Sequence, residues 1–451
     1  MARLFGTDGV RGVANQDLSC ELAFQLGRAA AWVLASQTHK PGILVGRDTR
    51  ISGDMLESAL VAGICSVGAR AQVVGVVPTP AVAYLTRYYA LDAGIMISAS
   101  HNTVEYNGIK IFDRDGYKLP DALEDHIEAI IRGSGEEIEQ PTGISVGRRI
   151  RMRNARRDYL DFLRSTLPQR LDGLRIVLDC ANGSASDYAP ELFTSLGATV
   201  LPYFCTPDGT DINDHCGSTH PERLQQLVAE QGADVGLAFD GDADRLIAVD
   251  DRGQLVDGDQ LMTMCALDMR ERGLLKQDTV VSTVMSNLGM KLALDKLGIR
   301  NARTAVGDRY VLEHMREHGF NLGGEQSGHI IFLDYNTTGD GMLSALQLLG
   351  IMARKKQSLS RLAQVMRVLP QVLLNARVSP EGRRKYQADE EIARAVKALE
   401  DELGASGRVL IRPSGTEPLI RVMIEGPDQA QIEKQAYDLV QLIEQRCADE
   451  K

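Results

Sequence analysis

The sequence predicts an α/β protein: three tandem α/β domains of similar build, then a smaller C-terminal α+β domain. Three observations carry this. A chain of 451 residues with 44% hydrophobic content has more apolar material than one core holds, so several domains are expected. A pattern of apolar strand, polar or Gly-containing loop and amphipathic helix recurs at roughly hundred-residue spacing. Beyond residue 367 that pattern gives way to a different order of elements.

The first repeat is Gly42-Ile43-Leu44-Val45-Gly46-Arg47-Asp48, followed by a helix over 55–67. The second is Arg175-Ile176-Val177-Leu178-Asp179-Cys180-Ala181-Asn182-Gly183 with a helix over 188–196. The third is Thr279-Val280-Val281-Ser282-Thr283-Val284-Met285-Ser286-Asn287 with a helix over 288–297. Each helix ends in a short Gly turn, at Gly68-Ala69, Gly197-Ala198 and Gly298-Ile299. The last part reads as a strand over 373–378, a charged amphipathic helix over 389–403, strands over 408–411 and 419–424, and a final helix over 429–447. Linker-like stretches near 133–137, 250–253 and 368–374 divide the chain into 1–150, 151–252, 253–367 and 368–451.

A formal charge of −11 argues against nucleic acid and against an anionic membrane surface as partners. No apolar run approaches membrane-spanning length. Chemistry-like sequence begins at Phe5, so no cleaved presequence is expected. The seven cysteines are scattered, odd in number and form no C-x-x-C pair. They read as reduced thiols of a cytoplasmic protein.

The run Asp240-Gly241-Asp242-Ala243-Asp244-Arg245 is the strongest chemical signal. It lies between two apolar runs, Val235-Gly236-Leu237-Ala238-Phe239 and Leu246-Ile247-Ala248-Val249, each read as a buried strand. In an extended loop, side chains at i, i+2 and i+4 share a side. Three carboxylates around one point call for a cation, and oxygen ligands without His or Cys suit Mg²⁺ or another small hard ion. A solvated acidic loop would seldom sit between two apolar strands. An EF-hand needs Gly at loop position 6 and Glu at 12, where this chain has Arg245 and Asp251.

Three further segments carry polar side chains in unusual settings. Gly94-Ile95-Met96-Ile97-Ser98-Ala99-Ser100-His101-Asn102 runs an apolar strand into a serine cluster, which suits either a nucleophile or a helix cap. No G-x-S-x-G elbow surrounds it. His101 and the later Lys110 taken alone suit hydrogen-bonding and surface roles. Gly323-Gly324-Glu325-Gln326-Ser327-Gly328-His329 suits sugar hydroxyls, or is a plain turn. Arg412-Pro413-Ser414-Gly415-Thr416-Glu417-Pro418, with Arg421 beyond it, is a phosphate cradle or a β-turn. Two weaker pieces are Phe5-Gly6-Thr7-Asp8-Gly9-Val10-Arg11-Gly12 and Val306-Gly307-Asp308-Arg309-Tyr310. Walker A and dinucleotide-binding signatures do not occur.

In this order, with one or more in each expected domain, these motifs resemble the α-D-phosphohexomutase superfamily. The resemblance spans Phe5 to Arg421. The opening FGTDGVRG, the ISASHN around Ser100 and Gln326 within GEQSGH make it most similar to the bacterial phosphoglucosamine mutase branch. Thr103 stands where the family usually has Pro.

The resemblance implies mixed sheets in the three α/β domains and four domains around a central cleft, the last one mobile. It implies that 1–150 bears the phosphoserine, 151–252 the metal, 253–367 the sugar-recognition loop and 368–451 the phosphate grip. Ser100 would carry the catalytic phosphate, and Asp240, Asp242 and Asp244 would hold one Mg²⁺, with a phosphate oxygen on Ser100 as a further ligand. Glu325 and Ser327 would meet the sugar, and Arg412, Ser414, Gly415, Thr416 and Arg421 the non-reacting phosphate. Arg11, His101, Lys110, Arg245 and His329 fall at active-site positions, Lys110 being the first candidate for proton transfer. The implied reaction interconverts glucosamine 6-phosphate and glucosamine 1-phosphate through a bound bisphosphate, feeding UDP-N-acetylglucosamine and cell-wall precursors. A phosphosugar is the implied partner, and a homodimer the implied assembly. The rival readings are glucose or mannose specificity on the same mechanism, a metal-dependent sugar phosphatase, and a non-catalytic phosphosugar-binding protein.

Overall fold

The structure is a computed structural model that describes residues 3–447 except 7, 35–40, 380 and 414–418. The chain forms two compact units, Met1–Met285 with Ile299–Gln364, and Ser286–Gly298 with Val365–Lys451.

The first unit holds three mixed sheets. One has six strands in the order Val10–Val13, Tyr106–Asp113, Ala93–Ile97, Gly42–Arg47, Arg70–Val76, Arg149–Arg151. The next has five, in the order Leu255–Val256, Leu246–Asp250, Val235–Phe239, Arg175–Asp179, Thr199–Tyr203. The third has four, in the order Arg300–Thr304, Thr279–Thr283, Leu322–Gly324, Ile330–Phe332. The three repeat strands Gly42–Arg47, Arg175–Asp179 and Thr279–Thr283 each pair in parallel with their neighbours. In every sheet a parallel strand then turns back into an antiparallel partner. The pairs are Ala93–Ile97 with Tyr106–Asp113, Val235–Phe239 with Leu246–Asp250, and Leu322–Gly324 with Ile330–Phe332. The connections are 98–105, 240–245 and 325–329. The strongest chemical motifs of the first three expected domains therefore occupy the same place in three repeated sheets.

Continuous burial explains the apolar runs. Ala93–Ile97, Val235–Phe239 and Leu246–Asp250 are buried along their whole length, as strands covered on both faces must be. The helices Cys20–Val33 and Gly53–Ser66 cross at two glycines. A Cβ on Gly27 would lie 2.3 Å from the Leu60 carbonyl oxygen, and one on Gly63 2.1 Å from that of Phe24. This approach lets Leu26, Leu56, Leu60 and Ile64 join one core, each burial worth about 1.5–3 kcal/mol. The stretch 250–253, read as a linker, is a hairpin turn: the Asp250 N–H donates to the Gln254 carbonyl at 2.9 Å, and Leu255–Val256 extends the same sheet.

The second unit is an antiparallel sheet in the order Gln371–Arg377, Leu419–Glu425, Arg408–Pro413. The helices Glu390–Leu403 and Gln429–Arg446 cover it, with Ile420, Val422, Ile424, Ile432, Leu439 and Ile443 in the core. The helix Leu288–Lys296, read as part of the third repeat, groups with this unit. The Asn287 side chain exchanges two hydrogen bonds of 3.0 Å with the Leu369 backbone, and the Leu288 N–H donates to Glu425 at 3.2 Å. All seven cysteines are free thiols. Among the described residues no helix is long and apolar enough to cross a membrane.

Candidate active site

The strand Ala93–Ile97 delivers Ser100 to a buried turn. Ser100 has φ +53°, a left-handed conformation that costs a non-glycine residue energy and needs support from its surroundings. The support is Arg50, which is fully buried. Its Nη2 donates to the carbonyls of Ser100 at 3.0 Å and Asn102 at 2.7 Å. Its Nη1 donates to Tyr106 O at 3.1 Å and also to the Thr103 carbonyl. Asp48 neutralises it at 2.9 Å and accepts the Ser98 hydroxyl at 2.5 Å, and the Ser98 Oγ in turn accepts the Ser100 N–H at 3.0 Å. Asn213 Nδ2 adds two more bonds of 2.9 Å, to the Ser100 and Asn102 carbonyls. Thr103, in place of the usual Pro, is thus held through its backbone.

The Ser100 Oγ donates to Asp240 Oδ2 at 2.7 Å. Asp240, Asp242 and Asp244 converge as expected, with one oxygen of each within 4.8 Å of the others. An extended backbone is not the means. The loop is a tight turn with Ala243 at φ +57° and its N–H bonded to the Asp240 carbonyl at 3.0 Å. Gly241 is required, because a Cβ there would stand 2.7 Å from the Ser100 carbonyl oxygen.

Burial, and then the charges of Asp244 and Asp242, push the Asp240 carboxyl well above the usual range. Burial also opposes ionisation of Asp244, but Lys110, His329 and Arg245 outweigh it and hold that group low. Asp242 Oδ2 accepts Lys110 Nζ at 2.7 Å and the Thr79 hydroxyl at 2.6 Å. The Oδ1 atoms of Asp242 and Asp244 are buried with no hydrogen-bond partner. Three buried carboxylates with two unpartnered oxygens are a donor set that fits a hard divalent cation such as Mg²⁺.

Lys110, buried on the strand Tyr106–Asp113, also lies 3.2 Å from Asp8 and 3.6 Å from Asp244. Burial works against its charge, but Asp242, Asp8 and Asp244 prevail and raise its pKa. Asp8 contacts Arg11 and, at 2.5 Å, Lys118. Lys118 reaches Asp308 at 2.6 Å, and Asp308 lies 3.5 Å from His329 Nε2. Charges of alternating sign thus run from the acidic turn through the first sheet to the third. His329 Nδ1 lies 3.6 Å from Asp244. Burial disfavours its imidazolium, while Asp244 and Asp308 push its pKa up to about 9. Its Nε2 accepts the Gly339 N–H at 3.1 Å, and this contact favours a neutral ring with the proton on Nδ1.

His101 Nδ1 lies 3.5 Å from the Ser100 Oγ. Burial, Arg245 and Arg11 lower its pKa to about 4, so the ring is neutral. Arg11, Arg245, Asp244, Glu325 and His329 line one cavity of about 610 Å³ in the first unit. Glu325 Oε1 accepts the Gly307 N–H at 3.1 Å, whereas Ser327 is exposed and does not line that cavity.

In the second unit Arg412 and Arg421 are cross-strand partners. Burial and then Arg421 lower the Arg412 pKa, and a counter-anion would relieve both effects. Ser414, Gly415 and Thr416 lie outside the described residues, as does Thr7.

The sequence reading missed Asp48, Arg50, Thr79, Lys118 and Asn213. An Asp-x-Arg pair at the end of a buried repeat strand was the available signal for the first two, since α/β sheets place functional groups there. Lys118 carries no local signature.

The chain matches "Phosphoglucomutase/phosphomannomutase, alpha/beta/alpha domain I" over residues 2–137, domain II over 157–253, domain III over 257–369 and the C-terminal domain over 373–442. It is 59% identical over 446 residues to the phosphoglucosamine mutase of Thermoanaerobacter sp. (strain X514), covering 99% of this chain and 100% of that one. Against the phosphoglucosamine mutase of Clostridium novyi the identity is 58% over 447 residues, with the same coverage. Among solved structures it resembles a phosphoglucomutase/phosphomannomutase family protein from Burkholderia thailandensis, with TM-score 0.81, 26% identity and 98% of both chains covered. Aspergillus fumigatus N-acetylphosphoglucosamine mutase, solved with GlcNAc-6P and magnesium, shares the fold at TM-score 0.69 and 18% identity, covering 98% of this chain and 96% of that one. Matches in all four domains and to relatives of full length place this chain in the phosphoglucomutase/phosphomannomutase family.

Proposed function

We propose that this chain is a phosphoglucosamine mutase, interconverting glucosamine 6-phosphate and glucosamine 1-phosphate with Ser100 as the residue that carries the phosphoryl group. The observation that carries the proposal is the Ser100 hydroxyl held 2.7 Å from a buried carboxylate of the acidic turn, in a chain whose full-length relatives bear that name.

In the forward half-reaction the free sugar hydroxyl attacks the phosphorus on Ser100. The bond from phosphorus to Ser100 Oγ breaks, and the hydroxyl proton leaves. The resulting 1,6-bisphosphate turns round, and Ser100 Oγ attacks its other phosphate. The bond from that phosphorus to the sugar oxygen breaks, the proton taken up in the first step returns to that oxygen, and the isomer leaves with phosphoserine regenerated. Asp240, Asp242 and Asp244 are the residues to hold Mg²⁺, which when bound neutralises charge on the transferring group. Arg50 fixes the line of attack by fixing the Ser100 backbone. Arg245 and Arg11 supply positive charge in the cavity, and Lys110 adds a further cation beside the acidic turn.

For the proton, two groups stand nearby. Lys110 is held as an ammonium by three carboxylates, whereas His101 is neutral beside the reacting oxygen and is placed to accept. Glu325 offers a carboxylate to sugar hydroxyls. Arg412 and Arg421, with the loop 414–418, are the residues to grip the phosphate that does not react.

The test is Ser100→Ala. Intact-mass measurement of the wild type should show a fraction carrying one phosphate, located at Ser100, and the variant should lack both phosphate and turnover. Normal mutase activity in the variant would overturn the proposal. Parallel assays with glucosamine, glucose and mannose 1-phosphates check the sugar, with glucosamine expected to give the highest kcat/KM.

A further inference from the structure

The helix Asp308–His318 carries a second group of metal-ligating side chains at the end away from the cavity. His314, Glu317 and His318 lie on its last turn, and one ligand atom from each falls within 4.8 Å of the others. Residues three and four apart on a helix are surface neighbours, which explains the convergence.

The group is arranged as a ligand set in two further respects. His318 Nδ1 lies 3.0 Å from the His314 carbonyl oxygen. Donation there puts the proton on Nδ1 and leaves the Nε2 lone pair facing outward, the outer contact that orients most metal-bound histidines. The His318 ring is also stacked on buried Phe320, with ring centroids 5.6 Å apart and planes 8° from parallel. One imidazole is therefore oriented before any ion arrives.

The surroundings do not compete for the ligands. Glu313 is engaged by Arg309 at 3.2 Å, and the Arg316 guanidinium lies over the Tyr117 ring at 3.8 Å. Glu317 has no ion-pair partner among the described residues. The carbonyls of a helix C-terminus favour a cation.

Two imidazole nitrogens and one carboxylate oxygen suit Zn²⁺ and similar borderline ions, and suit Mg²⁺ poorly, because Mg²⁺ prefers oxygen throughout. We propose that His314, Glu317 and His318 form a surface Zn²⁺ site, separate from the acidic turn, with three protein ligands and one position open to water.

The test uses full-length protein in excess Mg²⁺, titrated with zinc chloride by calorimetry. The wild type is compared with a His314→Ala, His318→Ala double variant and with Glu317→Gln. All three side chains are at least partly exposed, and thermal melts check that the variants fold. The single variant His318→Gln replaces the double variant if that melts early. The wild type should bind one equivalent of Zn²⁺ more than the histidine variant. Glu317→Gln should weaken that equivalent by on the order of tenfold. Co²⁺ in place of Zn²⁺ should give visible absorption in the wild type that the histidine variant lacks. Equal Zn²⁺ stoichiometry and affinity in wild type and histidine variant, whether both bind or neither does, would overturn the proposal.

Discussion

Arg50 Nη2 donates to the Ser100 carbonyl at 3.0 Å from a position with no solvent exposure. The guanidinium makes no hydrogen bond to the Ser100 Oγ, yet it bonds four carbonyls between Ser100 and Tyr106. It is a positioning residue, and its planar fork is what lysine lacks. Arg50→Lys should lower kcat by on the order of a hundredfold, as expected for a nucleophile displaced by about 1 Å. KM should change little. Steady-state kinetics checks the split, and a variant with both constants unchanged would show that the turn holds itself.

The acidic turn predicts a metal requirement. Chelation should abolish turnover, and added Mg²⁺ should restore it. Asp242→Asn removes one charge from the set and should raise the Mg²⁺ concentration for half-activity by about tenfold or more, since weakened ligand sets commonly lose that much. An unchanged Mg²⁺ dependence would separate Asp242 from the metal.

Lys118 sits between Asp8 and Asp308 with its side chain 15% exposed. Lys118→Met leaves two half-buried carboxylates without their shared cation, although Asp8 keeps Lys110 and Arg11 and Asp308 keeps His329. A loss of about 1.5–3 kcal/mol in unfolding free energy is expected for a lost contact between charged groups. Urea titration measures it, and a change below about 1 kcal/mol would mean the ties are offset by desolvation.

Asp340 predicts a pH-dependent stability. Burial pushes its pKa up to about 6, against the bonds from Leu343, Tyr159 and Asn336. A carboxyl whose pKa is higher in the native state than in the unfolded chain favours folding at low pH, and that contribution is lost as pH rises through the native value. Its window runs from the ordinary 3.8 up to about 6. Asp340→Asn keeps an acceptor for Leu343 and removes the titration. The wild type should lose up to about 3 kcal/mol relative to the variant as pH rises across that window. Denaturant midpoints at several pH values test the sign.

Arg412→Ala should act mainly on KM for the phosphosugar. A lost charge-assisted contact is worth about 1.5–3 kcal/mol, which is roughly ten- to a hundredfold in binding. An effect on kcat alone would count against a phosphate grip.

Most of the architecture was legible because its signals are local. Apolar runs bounded by glycine announced the strands, and Gly68, Gly197 and Gly298 take the positive φ that ends each helix. The acidic run was legible because three carboxylates have little other reason to stand at the end of a buried strand, whereas the serine cluster suited a nucleophile or a cap equally and only the family resemblance singled out Ser100. Arg50 and Lys118 were not, since their meaning depends on carbonyls and carboxylates that only folding brings near. The hairpin at 250–253 looked like a linker because turns and linkers share Asp and Gly. The equivalence of the three chemical loops was hidden too, because the turns share position and not residues.

That equivalence has a consequence for how such a site changes. Each turn hangs from its own sheet, and the turns meet through particular groups: Ser100 with Asp240, His329 with Asp244, and the Gly328 carbonyl with the Leu246 N–H. A new sequence in 325–327 can alter what Glu325 offers a ligand while the proposed nucleophile in 98–105 and the acidic cluster in 240–245 keep their own sheets, provided Gly328 and His329 stay. Under the proposed function, sugar selectivity and phosphoryl transfer then rest on different sheets, so a change of sugar does not call for a new nucleophile.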